Sequence, residues 1–84
     1  MKKKKLFELL FKEADKLGLP QKDLDGAKEL FEYNEQGLAL DIIVTQLFEY
    51  QIPINQDFFN LVNEIAIKME WSPDLYLYIK ELIK

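Results

Sequence analysis

The 84-residue sequence predicts an all-α protein, a compact single-domain bundle of four to five short helices covering residues 1–84. Two observations lead to this prediction. Apolar residues recur every three or four positions along most of the chain, which is the spacing of one helix face. The few glycines and prolines divide the chain into short segments, and several stand where helices begin or end.

The first two helices are bounded by Gly18 and Pro20. Glycine favours the left-handed conformation in which helices terminate, and proline is tolerated in a first turn because its missing N–H costs nothing there. We expect residues 1–4 to fray and the second helix to end near Asn34. The predicted buried faces are Leu6, Phe7, Leu10, Phe11, Ala14 and Leu17 in the first helix, and Leu24, Ala27, Leu30 and Phe31 in the second.

The third helix is predicted from Gln36 to Tyr50. Residues 42–45 are rich in β-branched side chains and could imitate a strand. However, residues 38–47 show no alternation of apolar and polar positions, so we predict a helix. Because this helix is the most apolar of the set, we expect it to lie at the centre of the bundle.

Two polar residues are expected to cap the remaining helices. Asn55 can accept from the first free N–H groups of a fourth helix, and Ser72, followed by Pro73, can do the same for a fifth. The predicted buried residues are Phe58, Val62, Ile65 and Met69 in the fourth helix, and Leu75, Ile79 and Leu82 in the fifth.

The composition argues against an enzyme. Histidine, cysteine and arginine are absent, and Ser72 and Thr45 are the only hydroxyl residues besides the tyrosines. These absences remove the usual general base, the strongest nucleophile and the preferred phosphate ligand. The fragment at 23–26 lacks the spacing of a calcium loop. Ser72 does not stand in the Asp-Ser-Leu setting of an acyl carrier protein. We therefore expect no catalytic residue, metal or cofactor.

The lysine run at residues 2–5 leaves two interpretations open: a solvated helix start, or a contact with nucleic acid or lipid. The first twelve residues only superficially resemble a signal peptide, because Glu8 interrupts a short apolar stretch. No segment has the roughly 18 apolar residues of a membrane span. With a net charge of −4 and no arginine, we expect a cytoplasmic protein without direct nucleic-acid or membrane binding.

Charge is distributed unevenly along the chain. Residues 29–67 contain seven carboxylates and no lysine, whereas all eleven basic residues are lysines outside this window. A surface of one sign attracts partners of the opposite sign. The carboxylates are Glu29, Glu32, Glu35, Asp41, Glu49, Asp57 and Glu64. This asymmetry predicts a partner with a basic face.

The third helix carries a possible anchor for such a partner. At 100° per residue, Asp41, Thr45 and Glu49 share a stripe that also contains Leu38 and Ile42. Two interpretations remain: another helix covers the apolar pair, or the pair is exposed among acids, as in an interface anchor with a charged rim.

Two stretches resemble a known family. Residues 34–41 read Asn-Glu-Gln-Gly-Leu-Ala-Leu-Asp, and residues 46–54 read Gln-Leu-Phe-Glu-Tyr-Gln-Ile-Pro-Ile. Together they resemble the MafI-type bacterial immunity proteins that accompany polymorphic and contact-dependent toxins. The resemblance covers roughly residues 30–65 and does not extend to the first and last helices.

The resemblance implies tight binding to a cognate toxin domain, commonly a nuclease with a basic active site. Carried onto this chain, it implies contacts through Glu29, Glu32, Glu35, Asp41 and Glu49, with Tyr33 and Tyr50 as amphipathic anchors. Leu38 and Ile42 complete the predicted partner-binding set. One alternative is a non-inhibitory adaptor or an antitoxin-like regulatory subunit, and another is a nucleic-acid mimic with broad nuclease targets. The sequence does not determine the oligomeric state, and we expect a monomer.

Overall fold

A computed structural model describes residues 1–84, except for the side chain of Pro73. The chain forms four α-helices followed by one 3-10 helix. They are α1 (Lys3–Leu17), α2 (Gln21–Glu32), α3 (Gln36–Glu49), α4 (Gln56–Lys68) and the 3-10 helix (Pro73–Leu82). In the part described, no strand forms, and Ile54 and Ile83 make one isolated parallel bridge. The predicted all-α bundle is confirmed.

The five elements form a closed ring of neighbours around one core. α1 packs against α2 and α4, α3 packs against α2 and the 3-10 helix, and the 3-10 helix also contacts α4. Each element contributes at least one side chain that is no more than 1% exposed: Phe7, Leu24, Ile43, Ile65 and Ile79. Removing such apolar surface from water is the main favourable term that holds the elements together.

The α3 helix is not the centre of the bundle, contrary to our expectation. Like every other element of the ring, it packs mainly against two neighbours, and side chains from all five elements form the centre. Its high apolar content does not reflect complete burial, because Leu38 remains half exposed. The run at 42–45 is helical as predicted, because it lies inside α3.

All four α-helices end in the same backbone motif. One residue takes a left-handed conformation, and the following N–H donates to the carbonyl five residues earlier, which is the longer bond of a Schellman motif. The left-handed residues are Gly18 (φ 104°), Asn34 (63°), Gln51 (54°) and Glu70 (61°). The N···O distances are 3.1 Å for Leu19–Ala14, 2.8 Å for Glu35–Leu30, 3.0 Å for Ile52–Leu47 and 2.8 Å for Trp71–Ala66.

The predicted N-caps are confirmed. The Asn55 side chain accepts from the Phe58 N–H at 2.8 Å, and the Ser72 hydroxyl accepts from the Asp74 N–H at 3.3 Å. These bonds satisfy N–H groups that have no carbonyl partner in the first turn. They also fix where the chain enters α4 and the 3-10 helix.

One predicted core residue of the last element is wrong. Ile79 and Leu82 are buried as expected, but Leu75 is 54% exposed and Tyr76 is buried instead. A 3-10 helix has three residues per turn, so residues 76, 79 and 82 share one face. The prediction assumed 3.6 residues per turn, which selects residue 75 in place of residue 76.

Replacing Glu70 with glycine should raise the free energy of unfolding by about 0.5–1 kcal/mol. A non-glycine residue in the left-handed conformation destabilises the fold by roughly 1–2 kcal/mol. Glycine destabilises it by about 0.5–1 kcal/mol, because the unfolded chain has more conformational freedom at glycine. Urea unfolding of Glu70→Gly measures the difference. Gly18→Ala is the matched control at the end of α1 and should lose stability, because it introduces the same strain. Equal stability of Glu70→Gly and the parent would contradict this account.

Candidate functional site

The predicted partner-binding residues lie on the hairpin formed by α2 and α3. The Tyr50 hydroxyl donates to Asp23 Oδ2 at 3.0 Å, and Gln46 Nε2 donates to Asp23 Oδ1 at 3.1 Å. These bonds hold the end of α3 beside the start of α2, so the two helices run antiparallel. The hairpin is therefore joined by side-chain hydrogen bonds at one end and by a short loop at the other.

Four predicted residues lie near the loop end of the hairpin. Glu29 and Glu32 are exposed on α2, and Glu35 is exposed just before α3. Tyr33 caps the end of α2 and leaves 72% of its surface in solvent. An exposed tyrosine beside three carboxylates has the mixed apolar and acidic character expected of a contact region for a basic partner.

Glu49 and Tyr50 lie at the opposite end of α3. Fourteen helical residues separate the two ends by about 20 Å, so the nine predicted residues do not form one compact patch. Glu49 is exposed. Tyr50 is 41% exposed, and its hydroxyl is occupied by Asp23, so its role includes holding the hairpin together.

The middle of α3 brings Leu38, Asp41 and Ile42 together. They line a shallow depression of about 350 Å³. Leu38 is 50% exposed, and Ile42 is partly buried against the core. Leu38 is therefore exposed, as in our interpretation of an interface anchor. Ile42 is partly covered by the bundle, as in the other interpretation. Sequence reasoning missed Asp23 and Gln46, which line the same depression from the side of α2 and α3.

Asp41 has a structural partner that the sequence did not indicate. The hydroxyl of Tyr76, on the 3-10 helix, donates to Asp41 Oδ1 at 2.6 Å. Tyr76 is 3% exposed. Burial, followed by the hydrogen bond and the negative charge of Asp41, raises the pKa of Tyr76 well above its ordinary value. The hydroxyl therefore keeps its proton at physiological pH and fixes the orientation of the carboxylate.

Gly37 allows a second contact between α3 and the segment that follows α4. The Trp71 ring lies against the Gly37 backbone, and a Cβ on residue 37 would be 2.6 Å from ring atoms Cζ2 and Cη2. Only glycine permits this approach without a shift of the ring. Trp71 also packs near Tyr76, with ring centroids 6.4 Å apart. The sequence pattern gave no indication of this packing role.

A second depression lies on the other side of Asp41. It measures about 430 Å³ and is lined by Asp41, Trp71, Leu75 and Tyr78, among others. Leu75 and Tyr78 are 54% and 40% exposed. Tyr78 packs on Phe48 of α3 in an edge-to-face arrangement, with centroids 4.9 Å apart. Asp41 therefore borders two depressions, each of which contains apolar side chains. We call the surface formed by Leu38, Asp41, Ile42, Leu75 and Tyr78 the Asp41 face.

Sequence reasoning missed the part of the Asp41 face that comes from the 3-10 helix. A helical period of 3.6 placed Leu75 in the core and gave no reason to associate it with Asp41. The useful signal was a period of three in residues 76, 79 and 82, which leaves Leu75 and Tyr78 on other faces.

The carboxylates of the hairpin are not neutralised within the molecule. All seven acids of residues 29–67 are exposed. Among the described side chains, one ion pair forms, between Lys16 and Glu13 of α1 at 3.4 Å. Asp57 and Glu64 lie on α4, which packs against α1 and the 3-10 helix rather than mainly against the hairpin. The acidic window is thus divided between the hairpin and α4.

Other kinds of site find little support in the described part of the chain. Groups of three potential metal ligands are absent there. None of its helices combines the length and apolar character needed to cross a bilayer. Comparisons with protein-family models, curated proteins and solved structures find no match. The likeness to MafI-type immunity proteins therefore rests on the two stretches quoted above.

Substitutions at Asp41 should separate its hydrogen bond from its charge. Asp41→Lys removes the acceptor of a buried hydroxyl and should cost about 1–3 kcal/mol of stability. Asp41→Asn retains an acceptor oxygen and should cost less than about 1 kcal/mol. Glu49→Lys, on the same helix but without a hydrogen-bond partner among the described residues, should change stability by less than about 0.5 kcal/mol.

Thermal and urea unfolding of the three variants measures this order. We expect Asp41→Lys to be the least stable of the three, because Asp41 accepts a hydrogen bond from a buried hydroxyl. Equal stability of Asp41→Lys and Glu49→Lys would show that the hydrogen bond contributes nothing.

Gly37→Ala and Gly26→Ala should have opposite effects. A methyl group at residue 37 meets the Trp71 ring, whereas one at residue 26 meets nothing within 4 Å. Overpacking should lower stability by about 1 kcal/mol or more at residue 37. At residue 26, inside α2, the better helix propensity should add up to about 1 kcal/mol. Urea unfolding measures both, and Trp71 emission should change in Gly37→Ala alone. Unchanged emission would contradict the proposed contact.

Proposed function

We propose that this chain is an immunity-type inhibitor that binds and neutralises a bacterial toxin domain. The partner has a basic contact face and is a nuclease. In this proposal the protein acts in the cytoplasm as a monomer, is not an enzyme, and binds neither nucleic acid nor membrane directly. The observation that carries the proposal is the Asp41 face, which places exposed apolar side chains around Asp41, beside the other unneutralised carboxylates of the hairpin.

The charge supports the nature of the partner. Asp41 and Glu49 on α3 and Glu29, Glu32 and Glu35 near the loop are exposed and have no lysine partner among the described residues. Nucleases bind phosphate groups through basic surfaces. An acidic hairpin is attracted to such a surface from a distance and competes with the nucleic acid for it.

The apolar side chains support stable binding as well as attraction. Leu38, Leu75 and Tyr78 expose 40–54% of their surfaces beside Asp41. Apolar and aromatic groups surrounded by polar ones are the usual source of binding energy at interfaces, whereas rim charges mainly affect association rates. Ile42 lines the same depression as Leu38 and is partly buried against the core.

The proposed mechanism has two steps. Long-range attraction brings the hairpin to the basic face of the toxin, and the Asp41 face then docks as its apolar side chains lose contact with water. Occupation of the phosphate-binding surface prevents the toxin from reaching its substrate. The contact extends in both directions along α3. At one end it includes the residues near the loop, among them Tyr33, and at the other end it includes Glu49 and Tyr50.

Co-expression tests the proposal directly. An immunity gene should directly follow the gene of a large secreted toxin, so the C-terminal domain encoded immediately upstream is the protein to express. We expect this chain to restore growth of cells that produce that domain and to inhibit its nuclease activity at a one-to-one ratio. Binding without inhibition would favour the adaptor or regulatory subunit. Absence of binding would refute the proposal.

Binding should be fast and sensitive to salt. Association rates measured by stopped flow should fall by about tenfold or more between low and high ionic strength, because salt screens the attraction. Glu49→Lys should weaken binding while folding remains intact. Glu64→Lys is the matched control, since Glu64 is an exposed acid on α4. Association rates that do not change with salt, or equal effects of the two variants on affinity, would contradict a contact centred on the hairpin.

A further inference from the structure

Asp41 has one oxygen available for a partner. Oδ1 accepts the Tyr76 hydrogen bond at 2.6 Å, and no described residue donates to Oδ2. The carboxylate is exposed, although Tyr76 itself is buried. Because the Tyr76 hydroxyl fixes Oδ1, Oδ2 is held in a defined direction before a partner binds. Such preorganisation reduces the entropy lost on binding.

The surroundings of Asp41 select the kind of group that can bind there. Leu75 and the aromatic rings of Trp71 and Tyr78 line the adjoining depression, together with Ser72 and Tyr76. Leu38 and Ile42 line the depression on the other side, together with the polar residues Asp23, Thr45 and Gln46. No lysine lines either one. A carboxylate between apolar and aromatic walls fits a cation that carries its own apolar or planar surface.

We propose that the Asp41 face binds an arginine side chain of the partner protein. The guanidinium donates to Asp41 Oδ2, its plane packs on the aromatic wall of the depression, and its aliphatic stem covers Leu75. This inference rests on the proposed function, since it identifies the chemical group by which a basic partner is recognised.

Arginine fits this surface better than lysine. Its guanidinium is planar, stacks on aromatic rings and is less strongly hydrated than an ammonium group. A charge-assisted hydrogen bond to a carboxylate is stronger than one between neutral groups. The depression of about 430 Å³ is wide enough for such a side chain. Because the proposed partner is a protein, we assign the depression to a residue presented by a protein surface.

Trp71 provides a direct measurement, because it is the only tryptophan of the chain and lines the depression. N-acetylargininamide should change its fluorescence and shift its indole N–H resonance in a saturable manner. N-acetyllysinamide should require an about fivefold higher concentration for the same change. Each titration is performed against sodium chloride at the same ionic strength, which corrects for screening.

Asp41→Asn is the informative variant. Its amide oxygen still accepts from Tyr76, while its NH₂ group replaces Oδ2 and opposes a guanidinium. It should require an about fivefold higher concentration of N-acetylargininamide or show no saturable response. Glu64→Gln removes a charge from α4, outside both depressions, and should titrate like the parent. Equal titrations of the parent and Asp41→Asn, or equal losses in Asp41→Asn and Glu64→Gln, would overturn the proposal. So would equal responses to the two amides.

The two proposals fail separately. If the chain neutralises the upstream toxin domain but Trp71 does not respond selectively to N-acetylargininamide, the arginine assignment is wrong and the inhibitor remains. If Trp71 responds as expected but the toxin stays active, the face binds arginine and the proposed function is wrong. In a complex with the toxin, Asp41→Asn should speed dissociation by tenfold or more, as expected for loss of a charged hydrogen bond at an interface.

Discussion

The architecture of the candidate site depends on one hydrogen bond, from the buried Tyr76 hydroxyl to Asp41. It joins the 3-10 helix to α3, which are distant in sequence. Trp71 strengthens the same junction by packing on the backbone of Gly37. A buried hydroxyl without an acceptor is costly, so the fold holds the carboxylate in place. Without this junction, the walls of the depressions would not meet around Asp41.

Asp41 contributes both to the fold and to the proposed function. Asp41 satisfies Tyr76 through Oδ1 and offers Oδ2 to solvent, so one carboxylate belongs both to the core and to the surface. Charge alone would attract any basic partner, whereas the fixed carboxylate between Leu38 and Leu75 restricts the geometry of the contact. In the proposed inhibitor, the unpaired acids of the hairpin increase the association rate, and the Asp41 face provides specificity.

Much of the fold was predictable because its signals are local. The spacing of apolar residues, the caps at Asn55 and Ser72 and the terminating Gly18 each act within one or two helical turns. Candidate site residues on the hairpin were also identified from charge and helix geometry. The failures were local too: Asn34, Gln51 and Glu70 end helices in a conformation usually taken by glycine, and Leu75 was placed in the core by the wrong period.

The sequence by itself determined the helical class, most helix boundaries and the sorting of acids into residues 29–67, because these follow from residue type and spacing. Only the tertiary structure decided that the last element is a 3-10 helix, that Asp41 receives the Tyr76 hydroxyl and that Trp71 needs a glycine beneath it. The last two are contacts between residues more than thirty positions apart. Such contacts depend on how whole elements pack around the core, and helical periodicity does not encode that packing.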